Sequence, residues 1–434
     1  MPPHAVAFGA ALSAIGGIAL GTATDARTAI LVAFFAWAAV MCVRMLFPAA
    51  PIRAFAFGAI ACVGIGYGVI SEVLNKTTLP IGRPVALSGR IASDVQSANG
   101  RSEFRMRLFA PQRGTVTVYT EREDVSFGDV IEMRGVPKRS AYGRVYVSAP
   151  EIIARTPSRS KIRAALFAVK HAVIGVFDRT LPADHAALIS GILLGARGGF
   201  SPALSDAMRN SGTMHIVALS GYNISVIVGM LSIIGISLLP TGVGIIFIIL
   251  TLTGFVIMTG AEESLVRAGI MGGLAFIAHR TGALYGMGNA IAFALLAMLV
   301  WNPAVIRSLG LQLSFAALLG IVYIRPAVER LLHANGETPS LFRWRDHAAT
   351  TIAAQAGALP VIAAAFHVVS LTGVAANVLI IGTIPFVMLF GAVGGVIGLI
   401  SLPIALPFLW ITHGILWYEI VVIRIFGSIS PITL

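Results

Sequence analysis

Residues Met208–Leu231 read MRNSGTMHIVALSGYNISVIVGML. From Met214 onward the run is nearly all apolar and approaches the ~20 residues with which a helix crosses a bilayer's hydrocarbon. Yet Arg209, His215, Ser220 and Asn223 lie inside the stretch or at its mouth. Polar groups are costly in lipid and, where kept, face a protein interior or a water-filled path. Ser220-Gly221 reads as a helix break whose freed carbonyls and amides could line such a path. The competing reading is a histidine and a serine making ordinary interhelical hydrogen bonds.

The rest of the chain agrees with a membrane setting. Of 434 residues 57% are apolar and 12% charged, with mean hydropathy +0.87, against roughly 45–50% apolar and about 25% charged in soluble domains. So little charge cannot cover a water-facing surface. Apolar runs at about Ala5–Leu20, Thr28–Phe47 and Arg53–Val73 predict three N-terminal spans. Arg44 and Arg53 in the short loop between the second and third place that loop in the cytoplasm. The segment after the third span is then extracytoplasmic. No basic residue precedes Arg27, so the first run lacks the n-region of a cleaved signal peptide.

From Lys76 to Arg163 the pattern changes. PVALSGRIASDV, RSEFRMRLF, GTVTVYT, GDVIEMRGV and RVYVSAPEII read as five short strands separated by turn signals. Five strands over about 70 residues suit a small OB-like barrel. Strand side chains alternate, so Phe104, Met106 and Leu108 take one face of the second strand while Glu103, Arg105 and Arg107 take the other. This segment carries sixteen of the chain's 31 basic residues against eight acidic ones. A basic OB-like face is a cradle for single-stranded nucleic acid, with Arg105, Arg107, Arg134 and Arg144 as candidate contacts. It is equally what the solvated part of a membrane protein looks like. The net charge of +12 is built almost wholly from arginine, the only lysines being Lys76, Lys138, Lys161 and Lys170. Arginine is the better bidentate phosphate partner, although a GC-rich genome produces the same bias.

Ser158–Arg179 places Ile162, Leu166, Val169, Val173, Val176 and Phe177 at helical spacing, with its cations mostly elsewhere. That is the pattern of a basic amphipathic helix in the membrane interface. From Ala186 onward apolar runs return, and eight to ten membrane segments fit, some broken or re-entrant. The segmentation is therefore 1–75, N-terminal spans; 76–157, OB-like domain; 158–180, interfacial helix; and 181–434, channel domain. The fold class expected is an α-helical polytopic membrane protein with an inserted small all-β, OB-like extracytoplasmic domain.

Several chemistries are excluded or weakened. Cys42 and Cys62 both fall in apolar runs, leaving no disulfide framework. No lysine follows a glycine, so no G-x-x-x-x-G-K-[ST] loop exists to hydrolyse ATP. The nine histidines are never closer than 14 residues, and H-E-x-x-H is missing. No cofactor is expected. His215 and Ser220 are five residues apart, about 140° around a helix, and ALSGY is not a G-x-S-x-G elbow; catalysis is not expected in this chain. GAEESLVRAG spaces Glu263 and Arg267 for an i, i+4 pair, or leaves Arg267 to face an anionic substrate. Gln312, Ser314, Gln355 and Asn377 stand in other apolar runs, either as packing groups or as path-lining donors.

These residues carry a resemblance. GTMHIVALSGYNISVI from Gly212, ESLVRAGIM, NPAVIRSLGLQLSFAALLGI and ALPVIAAAFHVVSLTGVAANVLIIGTIPF occur in the order and spacing of the ComEC-type competence family over about Ala186–Phe386. The resemblance implies an inner-membrane protein carrying transforming single-stranded DNA inward, with a DNA receptor, a cytoplasmic motor and a separate nuclease as partners. A charged backbone inside the membrane needs a hydrated path with donors, and His215, Ser220, Gly221, Asn223, Arg267 and Gln312 are the candidate lining groups. Asn223 stands where the family pattern has a second histidine, so a protonatable role at that position is not expected. The chain reaches Leu434 without the metallo-β-lactamase-like domain of many members, so strand degradation is expected elsewhere. The alternative is a secondary transporter that uses Arg267 and broken helices to carry a small anion.

Overall fold

The computed structural model describes residues 3–23, 60–61, 63–71, 79–93, 95–98, 101–112, 114–121, 125, 127–139, 145–158, 160–196, 198–217, 221–237, 239–281, 286–332, 344–366, 368–369, 372–429 and 432–433. They form two compact units, one of Met1–Ser93, Glu103–Pro157 and Ile270–Ser308, the other of Asp94–Ser102, Ser158–Gly269 and Leu309–Leu434.

In the first unit, helix α1 (Pro3–Ala23) meets the helical residues 63–71 where glycines allow it. A Cβ added at Gly64 would fall 2.7 Å from Ala14 O, and Gly17 lies against the Ala61 carbonyl. Such small-residue contacts let membrane-type helices approach closely. Tyr67 donates its hydroxyl hydrogen to Val300 O at 2.6 Å. The expected span Thr28–Phe47 lies outside the described residues.

The same unit holds the sheet, apart from β2 and the first two residues of β3. Its strands are β1 (Val85–Ile91), β2 (Gln96–Ala98), β3 (Arg101–Leu108), β4 (Thr115–Thr120), β5 (Val130–Gly135), β6 (Pro137–Arg139), β7 (Val145–Ser148) and β8 (Glu151–Thr156). The order is β6-β7-β4-β3-β1-β5-β8, with β2 off this path, and the sheet curls into a half-barrel. β4 and β7 are parallel, whereas β1–β3, β1–β5, β5–β8 and β6–β7 are antiparallel. Leu87, Ile91, Phe104, Met106, Val116, Val118, Ile131, Met133 and Val147 fill the concave side, all buried. Five strands were expected, and eight occur among the described residues. The run RVYVSAPEII breaks into β7 and β8 because Ala149 adopts φ 48° and Pro150 has no N–H to continue the ladder.

The second unit is helical: α2 (Lys161–Thr180), α3 (Ala183–Leu194), α4 (Pro202–Asn210), α5 (Met214–Val217), α6 (Gly221–Ser237), α7 (Thr241–Met258) and the first turns of α8 (Glu263–Thr281). After α9 (Met287–Trp301) of the first unit come α10 (Leu309–Tyr323), α11 (Arg325–Leu331), α12 (Trp344–Phe366), α13 (Gly373–Ile381), α14 (Ile384–Gly398) and α15 (Leu402–Gly427). Val176, Phe177, Leu188, Ile192, Leu204, Val387, Leu409 and Ile423 belong to one continuous core. The polar connection expected from Arg325 to Asp346 begins as helix α11, and residues 333–343 are outside the description.

Among the described residues two helices are long and apolar enough to cross a membrane, Arg345–Ala365 and Leu402–Gly427. Two bent pairs would qualify together: α10 with α11, bent 49°, and α13 with α14, bent 50°. The other apolar helices are shorter; α3, with 12 residues, is about 18 Å long at 1.5 Å per residue, well short of the hydrocarbon thickness. Glycine explains the stop. Gly195 caps α3 at φ 67°, and Gly198 and Gly199 are also at positive φ, a region that side chains disfavour.

α2 corrects one detail of its predicted face. Val173, Val176 and Phe177 are buried as expected, but so is Lys170, while Ile162 and Val169 are 75% and 51% exposed. The buried stripe is set by the neighbour: a Cβ at Gly395 would fall 2.8 Å from Val173 Cγ1, and one at Gly398 2.5 Å from Val176 Cγ1. α14 thus receives α2 directly on its glycines.

Candidate functional site

The convex side of the sheet gathers charge and aromatic surface. Period-two alternation exposes Glu103, Arg105 and Arg107 on β3 and Glu132 and Arg134 on β5. Register sets Arg90 of β1 directly opposite Arg107, and both are exposed. Like charges directly opposite one another disfavour pairing. Among the described residues no hydrogen bond or ion pair ties the side chains of Arg90, Arg105, Arg107 or Arg134 to a carboxylate, although Arg134 lies across from Glu151 in register. Beside them Tyr119 of β4, 39% exposed, and Tyr146 of β7 stand edge to face with centroids 6.2 Å apart. The Tyr119 hydroxyl reaches Glu103 Oε1 at 3.4 Å, which puts the aromatic pair on the arginine side of the sheet. Cations for a backbone and rings for bases are the two components of single-strand binding. Arg144 lies outside the described residues. The tyrosines are legible as alternating strand positions, but the parallel β4–β7 pairing that joins them is not.

In the helical unit, Met208–Leu231 is not one helix. It comprises the end of α4, a turn with Gly212 at φ 67°, the four-residue α5, and α6 starting at Gly221. Ser220 lies outside the described residues. His215 is exposed on α5, with Nδ1 2.9 Å from Gly212 O. Asn223 is buried and donates from Nδ2 to Ile192 O at 2.8 Å, tying α6 to the C-terminal turn of α3.

Arg267 is the residue around which distant segments converge. It is 8% exposed, its Nε donates to Ser314 Oγ at 2.9 Å, and its guanidinium carbon stands 5.6 Å from the Phe315 ring centroid. A Cβ at Gly221 would fall 2.9 Å from Arg267 Nη2, so the guanidinium lies directly against the first turn of α6. Glu263 lies against Gly310, where an added Cβ would be 3.1 Å from Oε2. Both contacts, Glu263–Gly310 and Arg267–Ser314, share one sequence offset, so the first turns of α8 and α10 run side by side in the same direction. Gln312, on α10, is exposed and two residues from Ser314, about 160° from it around the helix.

A cation at a helix N-terminus opposes the macrodipole. Ser314 and the Phe315 face offset that cost, and an anion at this point would meet both the guanidinium and the α6 amides. Of the expected lining residues the fold therefore joins Gly221 and Arg267, with Ser314 and Phe315 as their support. Asn223 is used in packing, His215 is exposed on α5, and Gln312 is on another face of α10 from Ser314.

A family profile described as "Competence protein" matches residues 192–432, over half of the chain. ComE operon protein 3 of Bacillus subtilis (strain 168) is 26% identical over 254 residues, covering 58% of this chain and 31% of that protein. The chain thus spans about a third of the length of the curated relative it matches. No solved structure matches. The matched region contains the α6–α8–α10 convergence, and on the length and continuity of that match the chain belongs to the ComEC-type competence protein family.

Proposed function

We propose that this protein moves single-stranded DNA across the cytoplasmic membrane during natural transformation, as a multi-pass membrane protein whose sheet domain is an OB-like, extracytoplasmic DNA-binding module. The observation that carries the reading is the unneutralised pairing of Arg90 with Arg107 beside Arg105 and the Tyr119–Tyr146 edge. A strand pair gains nothing from opposed arginines, whereas a polyphosphate gains counterion release from them. The parallel pairing of β4 with β7, set among antiparallel strands, supports a Greek-key OB-like reading of the sheet.

In the helical unit the strand would pass Arg267, where one cation and a helix N-terminus offer a sparse anion site. Sparse donors suit conduction, because a binding site must also let its occupant leave. Driving force and the removal of the complementary strand would come from partners, a cytoplasmic motor and a separate nuclease, with a DNA receptor delivering substrate. The test is uptake of labelled external DNA by cells lacking the gene: surface-bound label should persist while cytosolic label disappears. Undiminished cytosolic label in the deletant refutes the assignment.

A further inference from the structure

Thr383 stands in the break between α13 and α14. Its Oγ1 lies 2.7 Å from Ile380 O and 2.6 Å from Glu419 Oε1. A hydroxyl has one hydrogen to donate. The Ile380 carbonyl can only accept, so satisfying both contacts requires the hydrogen between Thr383 and Glu419 to come from Glu419. With an ionised carboxylate, two acceptors would compete for one hydrogen and one short O···O contact would be left without any. With a carboxylic acid the chain closes, Glu419 donating to Thr383 and Thr383 to Ile380 O.

Burial points the same way. Glu419 is fully buried on α15, one of the two helices apolar enough to span a membrane. Its Oε2 has no hydrogen-bond partner, and the carboxyl no ion-pair partner, among the described residues. An isolated buried carboxylate is far costlier than an underused acid carbonyl.

Among the described residues, no titratable group of the neighbouring helices is hydrogen-bonded or ion-paired to Glu419. α13 and α14 contain no titratable residue. On α3, Asp184 accepts from Ser201 N and Oγ and pairs with Arg424 of α15 at 3.5 Å, and the His185 ring stands 4.5 Å from that of His413. On α15 itself His413 and Arg424 are displaced from Glu419 by about 120° and about 140° around the helix, and the Tyr418 hydroxyl reaches Leu379 O. α4 contributes Asp206 and Arg209, exposed and paired with each other. On α2, Lys170 lies over its own neighbour Phe167. A cavity of about 560 Å³ bounded by Leu379, Thr383, Ile415, Tyr418 and, from α12, His347 opens beside the hydroxyl.

We propose that Glu419 is a proton-binding site: its bound proton latches the α13–α14 bend by holding the Thr383 hydroxyl on Ile380 O, and its release to water breaks that hold while Thr383 stays bonded to α15. On release, the single Thr383 hydrogen turns to the new carboxylate and Ile380 O loses its side-chain partner. The site stands independently of the DNA reading, since no residue of the sheet or of the Arg267 cluster takes part.

The test uses the full chain in lipid nanodiscs. Infrared spectra at neutral pH should contain a carboxylic-acid carbonyl band that is lost in Glu419→Gln and shifted in Thr383→Val, which keeps the acid but removes its partner. Hydrogen exchange across residues 380–387 should rise in the wild type over the pH range in which that band disappears. It should stay flat in Glu419→Gln, whose amide supplies the same donor permanently. Identical wild-type and Glu419→Gln spectra at neutral pH overturn the proton site. A band that titrates without any change in exchange overturns the latch.

Discussion

Replacing Arg107 by glutamine separates a folding role from a binding role. Arg107 is exposed and faces Arg90 across β1–β3. Opposed like charges cost a few tenths to about 1 kcal/mol, so the substitution should leave the melting temperature of the purified protein unchanged or slightly raised. For single strands, each phosphate contact contributes about 0.7 to the slope of log K against log salt. Arg107→Gln should lower that slope by about 0.7, and Arg90, Arg105 and Arg107 replaced together by about 2. Over a fourfold rise in salt the triple variant would escape roughly 20-fold of the wild-type loss of affinity. Arg134→Gln should have a smaller effect, because Glu151 stands opposite it. The assay is fluorescence anisotropy of a labelled oligothymidylate titrated with the full-length protein at several salt concentrations. An unchanged slope in the triple variant refutes the sheet face as the DNA contact, and a marked fall in melting temperature would show that these arginines serve the fold.

Three further outcomes follow from the helical unit. Arg267→Ala removes the partner of Ser314 and the cation over Phe315; it should cost about 1–3 kcal/mol of stability and sharply reduce DNA entry. His215→Ala, at an exposed site on α5, should alter uptake much less, and equal defects in a labelled-DNA uptake assay would contradict that division. Gly320 of α10 and Gly357 of α12 face one another, and a Cβ on Gly357 would fall 2.8 Å from Gly320 Cα. Gly357→Leu should therefore separate these helices and lower the midpoint of thermal aggregation in detergent, a prediction that fails if the midpoint is unchanged.

The sequence alone determined whatever depends on periodicity and composition. Alternation on β3 assigned Phe104, Met106 and Leu108 to the core and Arg105 and Arg107 to the surface, because strand side chains must alternate. The family was legible because its motifs are local strings in fixed order.

Tertiary structure decided which of those strings meet. Glu263 and Arg267 are spaced for an ion pair within one helix, yet α10 packs alongside, so Arg267 turns to Ser314 and Glu263 to Gly310. Asn223 looks like a lining group until α3 supplies a carbonyl for it. Nothing in the spacing of Thr383 and Glu419 announces a shared hydrogen, and nothing near Val169 announces that Lys170 is the buried neighbour. Local pattern fixes which face of an element is apolar. The partner that covers the face, and hence which polar group must find a bond there, is set by contacts between residues far apart in sequence, which no local pattern encodes.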